Sequence, residues 1–168
     1  EVHANAFLDE DFHEAVFTRL DVEDYNARND GGAFSMDEFI SDPTGYMSTF
    51  APYTRVADMY IAGHYWAEGS PFLFTRGDMK TEDWTVKVVA DISCDIDGPV
   101  ACTLRPSTIA APLYGYNPAT ESECAFNDPN GVTVMAVDNL PCELPRDASH
   151  GFGKEMMAHV IPLLVGGD

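Results

Sequence analysis

The stretch of sequence that decides the fold is residues 131–149, G-V-T-V-M-A-V-D-N-L-P-C-E-L-P-R-D-A-S. Residues 132–137 are apolar and rich in β-branched side chains, which is typical of a buried strand. The strand stops at Asp138 and Asn139, because the two prolines that follow have no backbone N–H to donate to a sheet. Strand, polar turn and helix in this order place Asp138 and Asn139 at the carboxyl end of a strand, where open α/β sheets bind ligands.

The residues after this turn predict a C-terminal helix. Apolar side chains recur at helical spacing between residues 146 and 165, and Gly166 with Gly167 supplies a stop signal. Glycine and proline weaken helices, so we expect a kink or a frayed portion at three positions: Gly151, Gly153 and Pro162.

Two further runs upstream have the composition of buried strands. Residues 59–65 (M-Y-I-A-G-H-Y) and residues 85–92 (T-V-K-V-V-A-D-I) are followed by polar or turn-forming residues. Three apolar strands with connections that we expect to be helical are typical of parallel pairing. The sequence therefore predicts a single α/β domain over residues 1–168, with a partial Rossmann-like parallel sheet and flanking helices.

The remaining segments carry weaker signals. Loose alternation of apolar residues predicts a strand at residues 16–22. One or two short strands are expected near residues 100–104 and 113–116, within a segment rich in proline and short polar residues. Residues 1–15 are weakly amphipathic, and we expect a frayed helix or a tail there. Ser35, followed three residues later by Glu38, is the pattern of a reciprocal helix cap and predicts a short helix over residues 36–41.

The composition excludes several classes of function. Nine basic residues against 28 acidic ones give a formal net charge of −19 at pH 7, which repels nucleic acids and anionic membranes. The sequence has no run of 18 apolar residues and no secretory signal, so we expect a cytoplasmic protein. The four cysteines form no C-x-x-C pair and the five histidines form no ligand pair on one helix face, so no metal site is predicted.

The strong acidity has two interpretations, an ordinary acidic cytosolic protein or adaptation to a high-salt cytoplasm. Mobile ions screen the repulsion among carboxylates, and the screening length falls to about 3 Å at molar salt. Adaptation to high salt predicts that the melting temperature of the chain rises steeply with KCl, which thermal unfolding followed by circular dichroism measures. A melting temperature that stays flat up to molar KCl would leave only the ordinary interpretation.

Clustered polar residues follow two of the predicted strands. Residues 91–97 contain three aspartates and a serine, and Asp138 with Asn139 follows the strand at 132–137. If the two strands are parallel neighbours, both clusters lie at one edge of the sheet. Carboxylates at such an edge can orient a ribose, an amide or an amine, or take part in proton transfer. The structural alternative, in which each acid caps a turn by bonding nearby backbone, stays open.

Other motifs fit the chain poorly. When residues 91–98 are aligned with a calcium-binding EF-hand loop, Leu104 falls where a bidentate glutamate is required. Gly151 and Gly153 lack the third small residue of a dinucleotide-phosphate loop and do not directly follow a strand. Residues 64–66 (H-Y-W) close an apolar strand, and this favours a structural aromatic cluster.

Three stretches resemble the saccharopine dehydrogenase (NAD, L-lysine-forming) group of the alanine dehydrogenase superfamily. They are residues 48–66 (S-T-F-A-P-Y-T-R-V-A-D-M-Y-I-A-G-H-Y-W), 88–98 (V-V-A-D-I-S-C-D-I-D-G) and 134–149 (V-M-A-V-D-N-L-P-C-E-L-P-R-D-A-S). The resemblance covers the chain from residue 16 onwards. It implies an NAD(P)-dependent oxidoreductase of two domains that acts on a C–N bond, with an amino acid or 2-oxo acid as its small-molecule substrate.

The resemblance also implies site residues. In saccharopine dehydrogenases the cofactor is contacted at the positions that match Tyr65, Ile92, Val137, Asp138, Asn139 and Leu140. In alanine dehydrogenases Asp95 matches an active-site aspartate, and Asn139 matches an asparagine near the nicotinamide. Asp95 is therefore the candidate catalytic residue, and the other six are candidate contacts to NAD. NADP remains open as the cofactor, and no metal ligand is implied.

The chain departs from this family in what it lacks. It contains neither the glycine-rich dinucleotide loop that precedes these motifs nor the lysine and histidine acid–base pair of the other domain. Because both are missing, we expect the C-terminal portion of such an enzyme, inactive alone, and the start at Glu1 rather than Met suggests an excised fragment. Its expected partners are the missing N-terminal part of the enzyme and further copies in a homo-oligomer. The alternative is a non-catalytic acidic binding or scaffold module that reuses the fold.

Overall fold

The computed structural model describes residues 1–166, so Gly167, which we expected at the end of the last helix, lies outside the described residues. The helices and strands in chain order are α1 (Ala4–Asp9), β1 (Asn26–Arg28), α2 (Met36–Ser41), β2 (Tyr46–Ser48), β3 (Met59–Ala62), β4 (Val88–Asp91), β5 (Leu113–Asn117), β6 (Ser122–Cys124), β7 (Val132–Met135), α3 (Pro145–Glu155) and α4 (Ile161–Val165). A π-helical turn, Met156–Val160, joins α3 to α4. Short 3₁₀ turns lie at Val22–Asp24, Pro43–Gly45, Tyr53–Arg55, Asp78–Lys80 and Leu140–Glu143.

The main sheet has five strands in the order β3-β4-β7-β5-β6. β3, β4 and β7 run parallel, with Ile61 opposite Ala90 and Val89 opposite Val134. β5 pairs antiparallel with β7, and β6 pairs antiparallel with β5, so the sheet is mixed rather than purely parallel. The predicted α/β class and the three predicted parallel strands are confirmed.

The core lies on one face of this sheet. Val89 and Val134 are fully buried there and face the same side, because they are paired in register. Aromatic rings from the segments before and after β3 pack against this face, including Phe50 and Phe74, whose ring centroids are 6.3 Å apart. The residues of β3 that alternate with the core-facing ones, Met59 and Ile61, stay exposed.

Several expected elements are wrong. Residues 16–22 form no strand, and residues 100–104 contribute only one isolated bridge, between Val100 and Phe74. The connection from β3 to β4 holds a single 3₁₀ turn and no α-helix. Alternation of apolar residues does not make a strand by itself, since each backbone N–H and C=O also needs a neighbouring strand to bond with.

The predicted helix at residues 36–41 is confirmed as α2. The hydroxyl of Ser35 accepts the backbone N–H of Glu38 at 3.4 Å, as an N-cap does. The reciprocal half of the cap is absent, because the carboxylate of Glu38 pairs with Arg28 instead and the N–H of Ser35 donates to the hydroxyl of Tyr46. Tertiary contacts have therefore replaced the second hydrogen bond of the reciprocal cap, from the backbone of Ser35 to the carboxylate of Glu38.

The N-terminal helix packs against the core, whereas the C-terminal helices have no buried residue. α1 is not a tail, because Phe7 and Leu8 pack against the core. The C-terminal helix forms as predicted, and its interruption is the π turn that precedes Pro162. Gly151 and Gly153 remain inside α3, and no residue of α3 or α4 is buried. In residues 1–166 no helix combines the length and the apolar character needed to cross a membrane.

Candidate functional site

The carboxyl ends of three strands meet at one edge of the main sheet. β3, β4 and β7 are adjacent and parallel, so the chain leaves all three strands on the same side. The backbone N–H of Ile92 donates to the carbonyl of Ala62 at 2.9 Å. The hydroxyl of Ser93 donates to the carbonyl of His64 at 2.7 Å. The loop after β4 is thereby fixed to the loop after β3.

Cys94 joins the loop after β4 to the end of β7. Its thiol donates to the carbonyl of Ala136 at 3.2 Å. Burial raises the pKa of this thiol, and the charges of three carboxylates raise it further, those of Asp91, Asp138 and Asp95. Asp95 and Asp138 lie in the two segments that this bond joins, one after β4 and one after β7. The two polar clusters lie at one edge of the sheet, as parallel pairing of β4 and β7 predicts.

Asp91 is a structural residue at this edge. Its carboxylate is completely buried. One oxygen accepts the backbone N–H of Cys94 at 3.0 Å, and the other accepts the hydroxyl of Thr103 at 2.5 Å. Cys94 has a φ of +54°, in the left-handed region that favours glycine, and the bond from Asp91 helps to hold it there. The sequence signal for this role is an acid at the end of an apolar strand, which needs partners if it is buried.

Asp95, the candidate catalytic residue, is half-buried in the same loop. Burial raises the pKa of its carboxyl, the charge of Asp91 raises it further, and His64 opposes the shift. A carboxyl whose pKa is raised exchanges its proton closer to neutral pH, which suits acid–base chemistry or a response to developing positive charge.

The turn after β7 presents its polar residues outward. Asp138 and Asn139 are exposed, and Leu140 is half-buried at the start of a 3₁₀ turn. The side chain of Val137 is buried, and its backbone bridges to Ser107. A ligand at this edge can therefore meet Val137 only through its backbone.

Apolar surface lies beside these carboxylates. Tyr65 follows β3 and is 91% exposed, and Ile92 follows β4 and is 48% exposed. Exposed aromatic and aliphatic side chains next to a few polar groups are the usual lining of a site for a flat ring. Of the seven predicted site residues, the structure places Val137 with its side chain inward and the other six at or beside this edge.

His64 also lies at this edge, although the sequence favoured a structural role for it. Both ring nitrogens are shielded from solvent and have no hydrogen-bond partner among residues 1–166. Burial lowers the pKa of His64, while the charges of Asp91 and Asp95 act to raise it. The imidazole packs against the ring of Tyr25 with a centroid distance of 6.5 Å. The sequence signal for a place of His64 at this edge is its position two residues after the end of β3.

The residues present fit the nicotinamide end of NAD and no more of it. Carboxylate, carboxamide and apolar groups at the edge suit an aromatic ring that carries an amide. Gly151 and Gly153 lie in the exposed helix α3, so they cannot form the turn between strand and helix that binds pyrophosphate. Within residues 1–166 no group of three or more histidine, cysteine, aspartate or glutamate side chains is placed to hold a metal ion.

Comparisons with known proteins agree with the resemblance seen in the sequence. The chain is 28% identical over 145 residues to alpha-aminoadipic semialdehyde synthase from Arabidopsis thaliana, a match that covers 82% of this chain and 13% of that protein. It is 26% identical over 176 residues to the mitochondrial alpha-aminoadipic semialdehyde synthase of Rattus norvegicus, with 92% of this chain and 19% of that protein covered.

A third relative is the NAD(+), L-lysine-forming saccharopine dehydrogenase of Schizosaccharomyces pombe, which is 25% identical over 119 residues. The chain is thus similar to saccharopine dehydrogenase over about two thirds of its own length. The match covers 67% of this chain and 30% of the yeast enzyme, so the chain spans less than a third of the length of each of these relatives. No protein-family model matches the chain. Low identity over most of the chain supports kinship with the saccharopine dehydrogenase family.

Proposed function

We propose that this chain forms one wall of the nicotinamide site in an NAD(P)-dependent oxidoreductase that acts on the C–N bond of an amino acid, as saccharopine dehydrogenase does. The observation that carries the proposal is that β4 and β7 are adjacent parallel strands, and that Asp95 and Asp138 follow their carboxyl ends in two segments joined by the bond from the Cys94 thiol to the Ala136 carbonyl. This is the edge at which open α/β sheets bind ligands.

Each group at the edge has a distinct part in this proposal. The carboxylate of Asp138 accepts, and the carboxamide of Asn139 donates and accepts, hydrogen bonds that orient the ring amide. Tyr65 and Ile92 supply the apolar surface beside the ring, and Val137 and Leu140 meet it through the turn after β7. NAD(P), when bound, supplies the hydride-accepting carbon. Asp95 orients the substrate amine and stabilises the positive charge that develops on its nitrogen.

The proposal needs a second part of the enzyme. The described residues provide no pyrophosphate loop, and we propose that the N-terminal part of the same enzyme provides it together with the acid–base pair. The absence of that loop from residues 1–166 also favours the second candidate, an acidic binding module without catalysis. A strand, a glycine-rich turn and a helix encoded upstream of Glu1 would favour the enzyme, and titration of NADH fluorescence with the longer protein separates the two candidates.

Asp138→Ala in the enzyme that contains this chain is expected to raise the Michaelis constant for NAD about tenfold or more. Loss of a hydrogen bond to a charged group costs about 1.5–3 kcal/mol, and each 1.4 kcal/mol is a factor of ten. Steady-state kinetics with varied NAD measures the change. Glu82→Ala, which removes an exposed carboxylate elsewhere, is the matched control for net charge. An unchanged Michaelis constant in Asp138→Ala would remove Asp138 from the nicotinamide site.

A further inference from the structure

The strand that leads to the turn of Asp138 and Asn139 loses both of its neighbours at the same residue. The pairing of β4 with β7 ends at Met135, and the pairing of β5 with β7 also ends there. The next residue, Ala136, is completely buried, whereas Asp138 and Asn139 are exposed. The direction in which the chain enters the turn therefore depends on what holds Ala136 after the strand pairings have ended.

The buried residue Ser107 holds Ala136 on one side. The backbone N–H of Ser107 donates to the carbonyl of Ala136 at 2.7 Å. The N–H of Ala136 in turn donates to the hydroxyl of Ser107 at 3.1 Å. Ser107 also forms an isolated parallel bridge with Val137. Both backbone groups of Ala136 are thus bonded to one residue, which takes the place that a neighbouring strand would have.

Ser107 is itself firmly held. Its hydroxyl donates to the carbonyl of Pro112, directly before β5, at 2.8 Å. Between these two residues the chain is closed by two backbone hydrogen bonds, of 3.4 Å and 3.0 Å, that join Thr108 and Ala111. Pro106 and Pro112 fix φ at the two ends of this segment. Ser107 is therefore a fixed support beside β7 and not part of a loose loop.

Cys94 holds the same carbonyl from the loop after β4. Its thiol donates to the carbonyl of Ala136 at 3.2 Å. The position of Cys94 is set in turn by the bond from its own N–H to the buried carboxylate of Asp91. We call the bonds from Ser107 and Cys94 to Ala136 the Ala136 clamp. The clamp holds the peptide from both neighbouring segments, two residues before Asp138.

We propose that Ser107 is a positioning residue of the candidate site, which through the Ala136 clamp sets the direction of the turn that carries Asp138 and Asn139. The importance of this direction for NAD rests on the proposed function. A displacement of about 1 Å in a site can cost about 100-fold in rate, even when the mutated residue is distant from the chemistry. Ser107 acts through the backbone of the turn and needs no contact with the ligand.

Threonine and valine at position 107 separate the hydroxyl from its shape. The two side chains are nearly equal in shape, but only threonine can accept the N–H of Ala136. In the enzyme that contains this chain, Ser107→Val is expected to have a Michaelis constant for NAD about tenfold above that of Ser107→Thr. The constant for the amino-acid substrate is expected to be equal in the two variants. Steady-state kinetics with each substrate varied measures both constants.

A purely structural role of Ser107 predicts a different result. Loss of folded protein lowers the amount of active enzyme and leaves both Michaelis constants unchanged, and this outcome would overturn the proposal. Ser107→Ala adds no atoms to the buried site. It gives the same comparison against the parent enzyme if the larger side chains prevent folding.

Ser48 offers a matched control with the same two kinds of hydrogen bond. Its hydroxyl accepts the N–H of Phe50 at 3.2 Å and donates to the carbonyl of Leu73 at 3.1 Å. Ser48 lies in β2, however, which belongs to the two-stranded sheet. Ser48→Val and Ser48→Thr are expected to have the same Michaelis constant for NAD. A difference as large as that at position 107 would mean general loosening of the protein, and the proposal would be wrong.

Hydrogen exchange tests the clamp without reference to NAD. In Ser107→Val the N–H of Ala136 loses its acceptor, so it is expected to exchange with deuterium about tenfold or more faster than in Ser107→Thr. Mass spectrometry with residue-level fragmentation measures this in the same enzyme. The N–H of Val134, inside β7, should differ much less between the two variants. Equal acceleration at Ala136 and Val134 would indicate overall destabilisation and overturn the proposal.

Asp138→Ala distinguishes failure of this proposal from failure of the proposed function. If Asp138→Ala leaves the Michaelis constant for NAD unchanged, the proposed function fails and the positioning role falls with it. If it raises the constant while Ser107→Val behaves as Ser107→Thr does, only the positioning role fails. In the Asp138→Ala background the difference between valine and threonine at position 107 should be clearly smaller than in the parent. A difference of full size there would show that Ser107 acts elsewhere and would overturn the proposal.

Discussion

Asp95→Asn is expected to lower kcat of the enzyme that contains this chain about 100-fold or more, while it stabilises the chain itself at neutral pH. The amide keeps the shape of the side chain and removes its charge. Preorganised charges that face developing charge are worth about 10²–10³ in kcat. The same carboxylate is half-buried next to the buried Asp91, so the folded chain holds its negative charge poorly.

The stability effect of Asp95→Asn has a definite sign and pH window. The folded pKa of Asp95 is raised above that of the unfolded chain, which for aspartate is about 3.9. The contribution of Asp95 to folding is therefore favourable below the unfolded pKa and is lost as the pH rises above it. Asparagine does not titrate, so the gain in the variant is expected at pH 7 and should vanish near pH 3.5. Urea unfolding at the two pH values measures it.

Asp97→Asn is the control for this prediction, because it is the same change at an exposed position of the same loop. Its φ of +53° is one that asparagine also tolerates. We expect its kcat to stay within about twofold of the parent, as for surface positions that touch no substrate. If Asp95→Asn destabilised the chain at neutral pH and left kcat unchanged, Asp95 would be a structural turn residue.

Asp91→Ala is expected to have the largest effect on stability, a loss of about 3 kcal/mol or more. The buried hydroxyl of Thr103 and the partly buried N–H of Cys94 lose their acceptor, and an unpaired buried donor costs about 1–3 kcal/mol. The left-handed backbone at Cys94 also loses a bond that holds it. Urea unfolding of the chain gives the free energy, and Glu82→Ala, at an exposed acid, should change it by less than about 0.5 kcal/mol.

A double-mutant cycle with Thr103→Val separates this bond from general disruption. In Thr103→Val the hydroxyl that Asp91 accepts is gone, so Asp91→Ala in that background leaves one unpaired donor fewer. The double variant should therefore lose clearly less stability than the two single losses added together. Strictly additive losses would show that the bond between Asp91 and Thr103 contributes nothing. The loop that carries Asp95 begins directly after Asp91. Loss of the Asp91 hydrogen bonds in Asp91→Ala should therefore also raise the Michaelis constant for NAD in the enzyme.

Sequence patterns correctly predicted the helices and strands that depend on residues close together in the chain. The apolar runs that became β3, β4 and β7 are confirmed, although each strand is shorter than its run. The length of an apolar run reflects how many residues are buried, whereas the strand ends where hydrogen bonding to a neighbouring strand ends. The helix at residues 36–41 is confirmed at both ends, because its start depends on a hydroxyl that lies next to it in sequence.

The site could be predicted only in part. Parallel neighbours and polar strand ends predicted that Asp95 and Asp138 lie at one edge. The inward side chain of Val137 and the unpaired ring of His64 were not predicted, because they depend on segments distant in sequence, such as those of Ser107 and Tyr25.

Apolar runs and strand breakers act over a few residues, so the order of amino acids was enough to predict the α/β class, the three parallel strands and the edge at which polar groups collect. The folded arrangement was needed to show that Asp91 is buried and structural while Asp95, four residues later, is half-buried. The reason is that burial of a carboxylate depends on the donors brought to it, and the hydroxyl of Thr103 reaches Asp91 from a separate segment of the chain.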